Sequence, residues 1–322
     1  MDLAERRRRR EEAHRRVVRQ RRLVAVGVVA AVAVLLVVIV AGSSGSESPA
    51  KKAARAAAPP PPPQLPRGGR VIFPGHRVVA FYGAPQDDEL GELGIGPASS
   101  VARRLERQAR PYGSKVLPAF ELISTVASGA PGADGRYSYR QPRRVIDRYL
   151  KAARAAKALL ILDIQPGHVA FMDDVRALRP YLEQPDVSLA LDPEWKVPDG
   201  QVPGKVIGST DATDVNTVSA YLAAIVRAKK LPQKLLVVHQ FTDDMIQRKQ
   251  LLQQPPGIAL TLNVDGFGDQ PNKISKYHEF TRAAAGRRFH KGFKLFYRED
   301  TNLMTPRQVL KLRPRPSLVV YE

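Results

Sequence analysis

The sequence predicts an α/β fold, a closed (β/α)8 barrel of parallel strands, over residues 71–322. Three observations lead there. Short runs of strand character alternate with longer runs at helical spacing, eight of the first and seven of the second. Strand–helix alternation implies parallel pairing through right-handed crossovers. Eight such repeats in about 250 residues is the size and count of a TIM barrel. An open doubly wound sheet more often carries a Gly-rich phosphate loop after its first strand. Here Gly83-Ala84-Pro85 follows the first strand, and Gly91 to Gly96 lies too far on.

Ahead of the barrel the chain changes character twice. Residues 1–22 are crowded with arginine, Arg6 to Arg10 and then Arg15, Arg16, Arg19, Arg21 and Arg22, as expected of a cytoplasmic tail. Leu23 to Gly42 is apolar and uncharged. At 1.5 Å per residue, about 20 such residues cross a hydrocarbon core of about 30 Å. Arginine before the span orients the N-terminus to the cytoplasm. The expectation is a single-pass signal-anchor in the cell membrane, with an extracytoplasmic C-terminal domain. A cleavable signal peptide, whose apolar core usually runs about 7–15 residues, is the alternative. Residues 43–70 show no apolar periodicity and contain the run Pro59 to Pro63, which predicts a disordered, extended linker.

The barrel elements follow in order. Strands are expected at Val78–Tyr82, Val116–Leu122, Leu159–Ile164, Val187–Leu191, Leu235–Val238, Ile258–Val264, Phe293–Tyr297 and Leu318–Tyr321. Helices are expected at Pro97–Arg110, Gln141–Lys157, Phe171–Leu182, Asp214–Lys230, Asp243–Leu252, Ile274–Ala285 and Pro306–Leu312. Pro142 opens the second of these near its first turn, and basic residues close the fourth.

Composition narrows the function. The chain has no Cys, which removes disulfides, thiolate metal sites and a Cys nucleophile. Its net charge is +20, and a basic balance favours anionic partners such as envelope polymers or lipid headgroups. No nucleic-acid motif accompanies the charge, so nucleic acid is not an expected partner. There is no His-x-His pair and no serine nucleophile elbow. No cofactor and no metal are therefore expected, although Asp163, Asp192 and Asp265 are the groups that could hold a divalent cation.

The active site of such a barrel lies at the C-terminal ends of its strands. Strand one ends in Tyr82, strand two in Glu121, strand three in Asp163 and Gln165. Strand four is the most informative. Val187, Leu189 and Leu191 share one face, while Ser188, Ala190, Asp192 and Glu194 share the other. Strand five ends in His239 and Gln240. Strand six sets Ile258, Leu260, Leu262 and Val264 against Ala259, Thr261, Asn263 and Asp265. Strand seven ends in Tyr297, Arg298 and Glu299, with Tyr297 and Glu299 on one face. Like charges brought together cost free energy, so recurrent carboxylates at strand tips point to proton transfer, a cation or a polar ligand. Aromatics share the rim: Tyr82, Trp195, Phe241, Phe267 and Tyr297. Aromatic faces stack on sugar rings while acids and amides take the hydroxyls.

Asp192-Pro193-Glu194 at the end of strand four resembles the Asp-x-Glu of chitinase-type and barrel-lysozyme-type glycoside hydrolases. The resemblance implies that Glu194 is the general acid and that Asp192 supports the substrate or the developing charge. The earlier aspartates and glycine of the chitinase signature are absent, and Phe81-Tyr82 stands where the lysozymes carry an acid on strand one. Retaining barrel glycosidases pair an acid on strand four with a nucleophile on strand seven, places taken here by Glu194 and Glu299. The expected ligand is a polysaccharide or cell-wall glycan, bound by Asp163, Gln165, Asp265, Asn263, Trp195, Tyr82, Tyr297, His239, Gln240 and Glu121. A non-catalytic glycan-binding or structural envelope barrel is the alternative.

Overall fold

The computed structural model describes residues 61–322, except 284, 285 and 287. The expected cytoplasmic tail, the membrane anchor and residues 43–60 of the linker lie outside the described residues. Among the described residues no helix is long and apolar enough to cross a membrane.

Eight parallel strands close into a ring: β1 (Arg77–Gly83), β2 (Val116–Ala127), β3 (Leu159–Ile164), β4 (Val187–Leu191), β5 (Lys234–Gln240), β6 (Ile258–Val264), β7 (His290–Leu295) and β8 (Leu318–Tyr321). Each pairs with its neighbour in sequence, and β8 returns to β1 with Val78 opposite Leu318 and Phe81 opposite Tyr321. The strands alternate as a barrel requires. Val79, Phe81, Leu160, Leu162, Leu236 and Val238 face outward into the helix layer. Val78, Ala80, Ala119, Ile161, Ala190, Val237 and Ala259 face inward. Each aliphatic side chain fully buried this way contributes about 1.5–3 kcal/mol. The inward positions at mid-height are largely Ala, which leaves room for the larger polar side chains one layer above.

Helices α1 (Ala98–Ala109), α2 (Arg143–Ala155), α3 (Phe171–Ala177), α4 (Arg179–Leu182), α5 (Ala212–Ala228), α6 (Gln270–Arg282) and α7 (Pro306–Val309) lie outside the ring. In α1, Val101, Leu105 and Ala109 recur every four residues and are buried. Side-chain caps start three of the helices: Asp211 on α5, Asp269 on α6, and a Thr305–Gln308 capping box on α7.

Two expected helices differ. The single helix over 171–182 is two, because Pro180 has no amide hydrogen to continue the first. The helix expected at Asp243–Leu252 does not form. Two single 3-10 turns and a two-residue strand, Ile246–Gln247 paired with Thr210–Asp211, take its place. Arg248 is left-handed there (φ +49°), which breaks helical continuity, and Lys249 Nζ is drawn back to Gln240 Oε1 at 2.6 Å. Strand β2 also runs beyond its expected end at Leu122 and pairs antiparallel with Ser138–Arg140.

The packed region reaches back to Leu65, ahead of the expected boundary at 71. Leu65, Ile72 and Phe73 are buried in the inner core with Leu117, Leu159, Leu235 and Leu318. The Gln233 side chain accepts from the amides of Ile72 (2.7 Å) and Phe73 (3.2 Å). This segment seals the N-terminal end of the barrel and leaves the other end as the mouth.

Candidate functional site

The inner faces of the strands deliver polar side chains to one level near the C-terminal ends. β1 supplies Tyr82, β2 Glu121, β3 Asp163, β5 His239, β6 Asn263 and β7 Lys294. Gln165, Asp192, Asp265 and Glu322 follow immediately after their strands, and Glu194 lies two residues beyond Asp192 in a 3-10 turn. Gly292 makes room for one of them: a Cβ there would collide with the Asn263 side chain.

Two hydrogen-bonded groups share this level. In the first, His239 Nδ1 meets Asp265 Oδ2 at 2.7 Å and its Nε2 meets Glu121 Oε1 at 3.1 Å, with Asp163 Oδ1 at 3.9 Å. Lys294 Nζ joins Asp265 Oδ2 (3.2 Å) to Glu322 Oε2 (2.6 Å) and sits 3.8 Å above the Tyr82 ring. In the second, the Tyr82 hydroxyl lies 3.3 Å from Asp163 Oδ2 and 3.5 Å from Asp192 Oδ2, while Gln165 Nε2 donates to it at 3.0 Å. Gln165 is itself held by the amide of Ala127.

Charge is out of balance. Six carboxyls (Glu121, Asp163, Asp192, Glu194, Asp265 and Glu322) share the space with His239 and Lys294, while Lys273 and Lys276 act on Asp265 from the edge. The groups respond by moving apart in acidity. Burial pushes Asp163 up to about 7, with Glu121 adding to the effect and His239 opposing it. Burial, reinforced by Asp163 and Glu194, holds Asp192 well above the usual carboxylate range despite His239. Glu194 is raised by burial and by Asp265. Burial alone would drive His239 down, but its bonds to Asp265 and Glu121 win and hold it well up. Lys294 is also raised, Asp265 and Glu322 outweighing its desolvation. Asp265 goes the other way: Lys294 and His239 overcome burial and keep it ionised. The mouth thus holds proton-bearing acids beside a fixed carboxylate, the arrangement from which acid and base roles are drawn.

Most residues expected at the mouth are there: Tyr82, Glu121, Asp163, Gln165, Asp192, Glu194, His239, Asn263 and Asp265. Trp195 follows on the 3-10 turn Pro193–Trp195, half-buried and resting near Gly204. Three expectations are corrected. Gln240 points outward from β5 and accepts from Lys249. Tyr297 lies beyond the end of β7 and stacks on the outward-facing Tyr321 at 5.2 Å. Glu299 is exposed on the turn after β7, in a small recess with Tyr297, Arg298 and Glu322, and has no hydrogen bond to the His239 group among the described residues. The inner place on strand seven belongs to Lys294. Lys294 and Glu322 are the residues that sequence reasoning missed. Their signal was parity: Lys294 alternates with the outward Phe293 and Leu295, and Glu322 follows the inward Leu318 and Val320. The cation set expected at Asp163, Asp192 and Asp265 does not assemble as such, because Asp265 is taken by His239 and Lys294.

No protein-family model matches the chain, and no curated protein matches it. Two crystal structures of the Parabacteroides merdae beta-glucuronidase, one with glycerol in its active site, are similar to it at 10% identity with TM-scores of 0.38 and 0.36. The likeness covers 76% of this chain and 31% of those, so the chain spans about a third of their length. At that identity no residue role transfers from them; what the chain itself shows is an eight-stranded parallel barrel with an acid-rich mouth.

Proposed function

We propose that the mouth is a glycoside-hydrolase centre acting on a cell-envelope or extracellular polysaccharide, held at the cell membrane by the apolar segment 23–42. One observation carries the reading. Glu194 stands at the tip of β4 with its carboxyl raised by burial, and Asp192, two residues earlier, is 3% exposed with Oδ1 lacking a hydrogen-bond partner among the described residues. A carboxyl raised by burial holds its proton more firmly than usual and can give it to a leaving glycosidic oxygen. In this reading Glu194 is that acid. Asp192, held beside Tyr82, faces the charge that develops on the sugar. Exposed Phe267, on the loop after β6, offers a ring face to the glycan.

The test is hydrolysis of a panel of wall and extracellular glycans by the wild type and by Glu194→Gln. The substitution keeps size and hydrogen bonding but cannot donate an acid proton, so turnover should fall at least 100-fold with folding spared. Unchanged hydrolysis by the variant takes Glu194 out of the mechanism. A second reading, a non-catalytic glycan-binding barrel, draws on the internal pairing of Asp265, His239 and Lys294, which ties up charge that catalysis could use. Binding of a glycan by the wild type with no product released selects it.

A further inference from the structure

We infer that Glu121, Asp163 and His239 form a binding site for one divalent transition-metal ion of the zinc or manganese type at the floor of the mouth. The inference goes beyond the glycosidase reading and does not need it.

The three side chains come from neighbouring or facing strands of a closed ring, β2, β3 and β5, and each is at most 1% exposed. One donor atom from each lies within 4.8 Å of the others. His239 Nε2 is 3.1 Å from Glu121 Oε1 and 3.9 Å from Asp163 Oδ1. Ligands about 2.1 Å from a tetrahedral metal stand about 3.4 Å apart, so a single ion fits between these atoms with small side-chain shifts. One imidazole nitrogen and two carboxylate oxygens suit Zn²⁺ or Mn²⁺ better than Mg²⁺ or Ca²⁺, which prefer oxygen alone.

Two further observations point to a ligand. Glu121 Oε2 and Asp163 Oδ1 are buried and have no hydrogen-bond partner among the described residues. A buried, unpaired carboxylate oxygen is costly; a cation would satisfy Asp163 Oδ1 directly, and Glu121 Oε2 when that carboxylate binds through both oxygens. His239 is also set as a metal-binding imidazole is set, its Nδ1 on a carboxylate (Asp265, 2.7 Å) and its Nε2 turned to the other two donors. The Lys294 ammonium faces the cluster too, but its partners are Asp265 and Glu322, which leaves Glu121 and Asp163 without a cation of their own beyond His239. When the metal–nitrogen bond forms, the proton on Nε2 leaves to solvent and Nδ1–H remains with Asp265.

The test is metal uptake by the full-length protein without substrate, after dialysis against buffered Zn²⁺ and, separately, Mn²⁺. One equivalent is expected in the wild type. Glu121→Gln and Asp163→Asn should each weaken uptake at least 10-fold, with circular dichroism checking the fold. Glu194→Gln, outside the ligand set, should bind the metal as the wild type does, whatever it does to glycan hydrolysis. No uptake of either ion by the wild type overturns the inference. So does uptake that both folded ligand variants retain in full, which would place the metal on other residues. Because substrate is absent, neither result depends on whether the barrel cleaves sugars.

Discussion

Lys294→Met offers the sharpest test of how the mouth is held together. Lys294 is 4% exposed, with its ammonium between Asp265 and Glu322 and against the Tyr82 ring. Methionine keeps most of the stem and removes the charge. Removing one partner of a buried ion pair costs about 3–5 kcal/mol, because the remaining carboxylates stay desolvated and uncompensated. The pH dependence follows from the shifts. Lys294 is raised above its ordinary 10.5, so its contribution is complete below that value and fades only as pH rises through the higher folded value. Asp265 is depressed below its ordinary 3.8, so its contribution is complete above that value and fades as pH falls below it. At pH 7 both are fully present in the wild type and both are damaged in the variant. As pH falls, the orphaned Glu322, already raised by burial and now without Lys294 to oppose it, is protonated more readily, which relieves part of the damage. Urea unfolding followed by circular dichroism should therefore show a loss of about 3–5 kcal/mol at pH 7. The loss at pH 5 should be smaller than at pH 7. A loss under about 1 kcal/mol at pH 7, or one identical at the two pH values, would refute the reasoning.

Three other outcomes are expected. Asp163 is pushed up to about 7, so its stabilising contribution is full below its ordinary 3.8 and is lost as pH rises towards 7; Asp163→Asn should gain stability relative to the wild type between pH 4 and pH 8, and thermal midpoints that diverge the other way would contradict the assignment. Phe267 is 63% exposed, so Phe267→Ala should leave stability within about 0.5 kcal/mol of the wild type while weakening glycan binding several-fold in calorimetry; equal affinities would remove it from the binding surface. Gly167 has φ +67° and would press a Cβ into the carbonyls of Arg136 and Tyr137, so Gly167→Ala should destabilise by about 1–3 kcal/mol or more, and an unmoved unfolding midpoint would show that the loop adjusts freely.

Much of the barrel was legible because its strands are buried on both faces yet differ between them. The split of β4 into Val187, Leu189 and Leu191 against Ser188, Ala190 and Asp192 appears unchanged in space, as does that of β6. The faces of strands with a clean aliphatic side therefore told that Asp163, Asp192 and Asp265 would all reach the mouth, though not that Asp265 would be claimed by His239 and Lys294. Strand seven hid its contribution because a lysine inside a strand looks like solvent-facing charge. Phe293 and Leu295 already mark the odd-numbered face as the outer one, and that parity carries Tyr297 and Glu299 away from the mouth. The segment 243–252 was misjudged because its spacing of apolar residues suits a helix, whereas a left-handed Arg248 and the tether from Lys249 to Gln240 decide its shape. Such a tether joins residues nine apart through a side chain, which no periodicity records. Pairings such as His239 with Glu121, separated by 118 positions, come only from closing the ring.

Nature has placed a built-in optical reporter beside the acid pair. Trp195 is the chain's one tryptophan, it follows Glu194 directly, and its indole edge stands over Gly204 in the long β4 loop. Its emission colour and quenching will register any movement of that loop or any molecule arriving next to Glu194, with no dye or label required. Titrations of sugars and of ions can then be followed on the unmodified chain.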